Sequence, residues 1–267
     1  MINSARLTGL TGSVAKALNI PAPEKAEASL PEIDALVEHL SPSGRADRVL
    51  IYNPDAVAFW LFQKYTELFT PVMIRTNITI PMQAVFPPVT PVCFGTMYTG
   101  AMPAVHGIEK YEKPIIRIYT LFDAVARAGK KAALIAVADS SMAKIFLERP
   151  IDYFFAPTDQ EVEQIALEKI AEDQYDLICV YHMDYDEWIH DTTPESEQAM
   201  AALNRHVQSF AVLSDAVKQH WAEHQTLIGF APDHGLHETI MGVGDHFADI
   251  PADMNMVHFW GFYPAKA

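Results

Sequence analysis

Cysteine is nearly missing from this chain. Cys93 and Cys179 are the only two in 267 residues. Two are too few for a disulfide framework at this length, which points to a reducing, cytoplasmic setting. Basic residues are also scarce: 19 Lys and Arg stand against 34 Asp and Glu, a formal net charge of −15. Such a field repels nucleic-acid backbones and anionic membrane surfaces, so a polymer-binding or membrane role is not expected. A small anionic substrate stays open where local metal cations override the global field. No apolar run reaches the roughly 18 residues of a membrane span. The start, "MINSARLTGLTGSVAKALNI", is too broken by Gly and Ser to read as a signal peptide. Internal repeats and low-complexity tracts are lacking too.

What is present is an alternation. Half the residues are apolar and a fifth charged, the balance of a globular protein with a real core. Residues 1–45 read as a helical extension, with an amphipathic helix at the end of 23–40. "RVLIYN" (48–53), "KAALIAVA" (131–138), "YDLICVYH" (175–182), "TLIGFAP" (226–232) and "MVHFWGFYP" (256–264) read as strands. Helices are expected over 56–69, 119–128, 159–173 and 195–223, the second stopped by Gly129. The pattern predicts one α/β domain over residues 1–267, a three-layer sandwich around a mostly parallel sheet.

Ligands of such sheets bind beyond the carboxyl ends of strands. Asp55 follows the first core strand. Asp184, Asp186 and His190 follow the "YDLICVYH" strand, and Asp233 and His234 follow "TLIGFAP". A lone Asp there is usually a turn or cap residue. Recurrence of Asp and His at several strand ends is harder to assign to turns. Asp186 and His190 stand four apart, one face of a helix, where a carboxylate and an imidazole can share an ion. Spacing alone leaves Asp184 open in place of Asp186. His246 sits in a glycine-flanked loop, with Asp245 and Asp249 available to orient it. Six such ligands suffice for two ions; imidazole with carboxylate suits zinc, with manganese or magnesium as alternatives.

The ordered set resembles the alkaline phosphatase superfamily, and within it the type I phosphodiesterase/nucleotide pyrophosphatase family. The residues that carry the resemblance are Asp55; Thr90 followed by Thr99-Gly100, Pro103 and His106-Gly107-Ile108; Tyr181 to Asp186, His190, Pro194 and Ser196; Asp233-His234-Gly235; and His246, over about residues 48–264. It favours Asp186 over Asp184. It implies one metal on Asp186, His190 and His246, and a second on Asp55, Asp233 and His234 with the Thr90 oxygen. It further implies an alkaline phosphatase-like fold and Thr90 as nucleophile. Attack on a small phosphodiester or pyrophosphate would give a phospho-threonine, which water held at the metals would hydrolyse. A phosphomonoesterase, or a relative that binds metal or ligand without turnover, is the alternative.

The residues make this chemistry sensible. An alcohol is a poor nucleophile near neutral pH, and a divalent cation activates it. Pro91 favours a helix start, which puts Thr90 where free N–H groups and the helix dipole attract phosphate. The plainer reading of Thr90 is an ordinary N-cap. Three positions depart from the family: Ala56 stands where Gly is usual, Phe247 follows His246 in place of Gly, and Cys93 stands where an Asn contacts the phosphoryl group. Cys93 is therefore a candidate substrate contact, with a thiol as a weak donor. A sulfatase is not expected, because the slot of its nucleophilic Cys holds Thr90 and Cys93 lacks the Pro and Arg that follow it there. His182, His237 and His258 read as structural, with His182 and His237 adjoining ligand segments. Trp188 and Tyr185 are candidates to pack on a leaving group.

Overall fold

The computed structural model describes residues 5–266. The strands in chain order are β1 (Ala5–Arg6), β2 (Arg48–Pro54), β3 (Ile78–Gln83), β4 (Ala132–Val137), β5 (Asp152–Ala156), β6 (Leu177–His182), β7 (Thr226–Phe230), β8 (His237–Glu238), β9 (Gly244–Asp245) and β10 (Asn255–Tyr263). Eight form one sheet in the order β1-β3-β10-β7-β2-β6-β4-β5, while β8 and β9 pair separately. Only β10 runs antiparallel to its neighbours in that sheet. This is the mostly parallel α/β sandwich expected from the alternation of strands and helices.

Burial on both faces explains the unbroken apolar strands. Along β2, Val49 and Ile51 enter one core with the helices Gly9–Ala17 and Thr90–Thr99, while Leu50 and Tyr52 enter the other. That second core contains the helices Asp159–Glu172, Asp184–Asp191 and Glu197–His220. Every residue of β6 and β7 is buried. At roughly 1.5–3 kcal/mol per buried large aliphatic side chain, the central strands anchor the fold.

Some local expectations change. The 56–69 helix is broken into Phe59–Lys64 and a 3-10 turn Thr66–Phe69. Ala56 sits at φ 58°, in the left-handed region, and cannot start a helix. That φ lies in the region glycine adopts without steric cost, so Ala56 holds the turn at some strain. The N-terminal segment holds two helices, Gly9–Ala17 and Pro31–Leu40, and β1 at the sheet edge. Its first four residues lie outside the described ones. β3 and β5 are strands the sequence did not announce.

Three adjacent parallel strands, β7, β2 and β6, end on one side of the sheet. Asp233 lies just past β7, Asp55 just past β2, and the helix Asp184–Asp191 just past β6. The β8–β9 hairpin delivers His246 to the same rim.

Candidate active site

Thr90 opens the helix Thr90–Thr99, all ten residues of which are buried. Val89 occupies the N-cap position and no side chain caps this helix, so the plain capping role for Thr90 is set aside. The helix closes on Gly100 at φ 70°, a left-handed C-cap that glycine adopts without steric cost. His106 braces the helix from the side: its Nδ1 accepts the Ile108 N–H at 3.3 Å, which leaves the proton on Nε2, 3.0 Å from the Thr96 hydroxyl. Burial lowers its pKa to about 4, so the ring stays neutral.

The freed Thr90 hydroxyl lies 3.4 Å from Asp55 Oδ2 and 3.4 Å from His234 Nε2. The same Nε2 is 3.4 Å from Asp55 Oδ1 and 3.3 Å from Asp233 Oδ2. His234 Nδ1 donates to the Gly235 carbonyl at 3.0 Å, which fixes the tautomer with its lone pair on Nε2. Burial, helped by charge on His246, holds its pKa well below the ordinary histidine value. Gly235 lets this turn close: a Cβ there would come within 2.1 Å of the Ala252 carbonyl oxygen. Asp233 Oδ1 accepts the Ala56 N–H at 3.3 Å, and the Tyr181 hydroxyl donates to Asp55 Oδ2.

The second group shares a wall with the first, since the rings of His234 and His246 stack at 4.1 Å. Asp186 Oδ1 lies 3.2 Å from His246 Nε2, and Asp186 Oδ2 lies 3.5 Å from His190 Nε2. The two imidazole Nε2 atoms are 3.2 Å apart. His246 is oriented by the Pro88 carbonyl, which its Nδ1 meets at 3.0 Å. That corrects the expectation for Asp245, which accepts the backbone N–H of His246 and not its ring, and for Asp249, which is exposed. The loop itself is tied down by Asp253, which accepts from Ala248 N–H and pairs with His237 Nδ1 at 2.8 Å.

These contacts carry a charge problem. Burial, with Asp233 and Asp186 nearby, raises the Asp55 pKa well above a carboxylate's usual value. Burial raises that of Asp233 to about 7. Asp186 is pushed up by burial too, but hydrogen bonding to His190 and His246 outweighs this and holds it below the usual range. Burial opposes protonation of His246, yet the Asp186 carboxylate prevails and lifts it to about 9. Asp55 Oδ1 and Asp233 Oδ2 are buried with no hydrogen-bond donor. Around His234, lone pairs of a neutral imidazole and two carboxylates face one another. Buried acceptors without donors are costly, and a divalent cation among them resolves the conflict. The ligand atoms of Asp55, Asp233 and His234, and separately those of Asp186, His190 and His246, lie within 4.8 Å of one another. The donor sets therefore fit divalent cations of the zinc type.

All seven expected ligands converge, and Asp184 does not join them: it pairs with Arg205 at 3.0 Å. Cys93 is fully buried with its thiol 4.0 Å from the Val85 carbonyl. Burial and the charge of Asp233 raise its pKa far above the ordinary thiol value, so it is neutral. Tyr185 is buried and bound to the Pro194 carbonyl at 3.1 Å, which removes it as a leaving-group contact, whereas Trp188 is exposed. Sequence reasoning gave Tyr181 and the Pro88 carbonyl no role at the site. Tyr181 had a signal, being an alternate-face residue at the end of a strand beside Asp55; a backbone carbonyl has none.

A family model for type I phosphodiesterase / nucleotide pyrophosphatase matches residues 49–260. No curated protein matches the chain in sequence. Among solved structures, human ectonucleotide pyrophosphatase / phosphodiesterase 5 is similar with a TM-score of 0.58 and 14% identity, over 72% of this chain and 57% of that one. An inactive form of the mouse protein in complex with AMP gives 0.57 and 15%, over 72% and 58%. Phosphonoacetate hydrolase from Sinorhizobium meliloti 1021, in complex with phosphonoformate, gives 0.53 and 15%, over 74% and 59%. The chain thus spans less than two thirds of each of these relatives, and at these identities the likeness is one of fold.

Proposed function

Because the chain belongs to the type I phosphodiesterase / nucleotide pyrophosphatase family, we propose that it is a dinuclear-metal phosphohydrolase that cleaves a small phosphodiester or pyrophosphate through a phospho-threonine on Thr90. One observation carries the reading. Thr90 Oγ1, Asp55, Asp233 and His234 converge within 3.4 Å contacts around a point that lacks a matching set of donors. The second triad shares its wall. Asp55, Asp233, His234 and Thr90 would hold one ion, and Asp186, His190 and His246 the other. Bound divalent cations, zinc first by ligand type, supply charge neutralisation and a lowered hydroxyl pKa.

The chain's own residues do the rest. The helix Thr90–Thr99 presents the hydroxyl at its positive end, where a phosphoryl group is favoured. In-line attack forms the Oγ1–P bond as the bond from phosphorus to the leaving oxygen breaks, and water then cleaves the phospho-threonine. Pro88 holds His246 in one orientation, and the Tyr181 hydroxyl steadies Asp55. Cys93, three residues after Thr90 on the same helix, offers a neutral thiol where an amide stands in the family resemblance. The substrate class, like the AMP and phosphonoformate bound by the solved relatives, is a small phosphorus oxyanion. No helix among the described residues is long and apolar enough to cross a membrane. The cytoplasmic setting is part of the same proposal, supported by two free, buried cysteines.

The test is turnover of chromogenic phosphodiester, phosphomonoester and sulfate substrates with zinc, manganese and magnesium, alongside metal analysis. Diester cleavage is expected to lead. Thr90→Ala should lower it by at least about a thousandfold while metal content stays near that of the wild type. Retained turnover in Thr90→Ala, or purified protein that takes up no metal, refutes the reading.

A further inference from the structure

On the sheet face opposite Thr90, a buried polar cluster has no part in the chemistry above. Asp159, His182 and His206 bring potential ligand atoms within 4.8 Å of one another. The Tyr52 hydroxyl lies among them, 2.9 Å from His182 Nδ1 and 3.2 Å from His206 Nδ1. The cluster has the composition of a third metal site, but its hydrogen bonds contradict that. His206 Nε2 accepts the Tyr185 N–H at 3.2 Å. A neutral imidazole that accepts at Nε2 carries its proton on Nδ1. Nδ1 is the atom facing Tyr52 and Asp159, the latter at 3.8 Å, so it has no lone pair for an ion. Burial keeps the ring neutral, with a pKa lowered to about 3.

The cluster does something else. Asp159 Oδ1 accepts the Met183 N–H at 3.0 Å, and Oδ2 accepts the Asp184 N–H at 3.0 Å. With His206 on Tyr185, three consecutive N–H groups end on side chains from two other helices. They are the N-terminal donors of Asp184–Asp191, a helix with no cap from its own N-cap residue. That helix carries Asp186 and His190. Loss of these acceptors would expose the donors to a cavity of about 470 Å³ lined by Asp159, His182, His206 and Arg205, where water would replace a fixed anchor.

We propose that Asp159 and His206 are positioning residues for the Asp186/His190/His246 site, fixing from behind the sheet the helix that presents two of its three ligands. The proposal rests on the dinuclear reading. A ligand displaced by even about 0.5 Å loses much of its value to a metal, and outer-shell changes of this kind typically cost 10–100-fold in affinity.

The experiment is zinc titration by calorimetry on the full chain, with hydrogen exchange of amides 183–185 measured on metal-free protein. Variants are Asp159→Ala, Asp159→Asn, His206→Leu and His206→Gln. The two sites are assigned in Asp233→Asn and Asp186→Asn backgrounds. In Asp159→Ala and His206→Leu, the Asp186 site should weaken by about 10–100-fold while the Asp55 site changes by less than about twofold. Protection at 183–185 should fall with it. His206→Gln, whose amide oxygen can stand in for Nε2, should restore most of the affinity, and Asp159→Asn should fall between. Equal weakening of both sites, or lost protection with unchanged affinity, overturns the proposal. Wild-type protein that binds no zinc overturns the dinuclear reading and this inference together; two intact sites in every variant overturn this inference alone.

Discussion

Asp233→Asn should stabilise the metal-free protein, although it removes a proposed metal ligand. Asp233 is fully buried, and its pKa rises from 3.8 to about 7 because burial penalises the carboxylate. Between those values the folded protein holds a proton that the unfolded chain has released. Stability therefore falls as pH rises from about 4 to about 7, and stays at the lower level above that. About 3 units at 1.36 kcal/mol each give a ceiling of about 4 kcal/mol at pH 8. Asparagine escapes this loss. Its oxygen can still accept the Ala56 N–H, and its amide can donate to His234 Nε2, which lies 3.3 Å from the present Oδ2. An advantage of about 2–4 kcal/mol at pH 8 corresponds to a Tm higher by roughly 4–8 °C, shrinking to under about 1 kcal/mol at pH 4. Zinc should offset that advantage: saturation at a hundred times Kd stabilises the wild type by about 2.7 kcal/mol at each site it fills, and the variant by less, so the difference should shrink to about 1 kcal/mol or under. The assay is urea and thermal unfolding from pH 4 to 8, with chelator or with zinc. A variant less stable than wild type in chelator at pH 8, or a difference that does not change with pH, refutes the reasoning.

Two further outcomes are expected. With the His246 pKa raised to about 9 by Asp186, zinc must displace a proton from Nε2. Affinity at that site should rise by up to about tenfold per pH unit below 9 and flatten above it, with proton release visible by calorimetry in buffers of different ionisation enthalpy; pH-independent binding counts against the pairing. Tyr181→Phe removes the donor to Asp55 Oδ2 while keeping the ring that packs edge-on against Phe94. It should weaken zinc at the Asp55 site by about tenfold with little change in Thr90-dependent selectivity among substrates, and unchanged affinity would remove Tyr181 from the site.

The proposed ligands could be picked out partly from local spacing, while the choice of Asp186 over Asp184 came from the family resemblance. Asp186 and His190 are one helical turn apart, Asp233 and His234 are adjacent at a turn, and Asp55 follows a strand. Thr90 was singled out by the resemblance, and Pro91 added only the expectation of a helix start there. Other features had no local signature. β3 contains Pro81, which hides a strand; it is tolerated because the short β1 pairs only with Met82 and Gln83 on that side. β5 lies at the sheet edge and is partly exposed, so its apolar signal is weak. Nothing in the run from Ala56 to Phe69 announced that its first residue would take a left-handed turn.

By itself the sequence determined the alternating elements, the two-faced apolar strands and which residue types stand at the strand ends. These depend on neighbours within a few positions, where periodicity and turn chemistry act. Only the tertiary structure decided what those residues face. It took the Thr90 hydroxyl out of a capping role and set it between Asp55 and His234. It used the carbonyls of Gly235 and Pro88 to choose which nitrogen of His234 and His246 meets the carboxylates. It also set Asp159 and His206, from two distant helices, on the amides that begin the Asp184–Asp191 helix. Such contacts join residues far apart in the chain, and packing around the sheet, not local pattern, selects them.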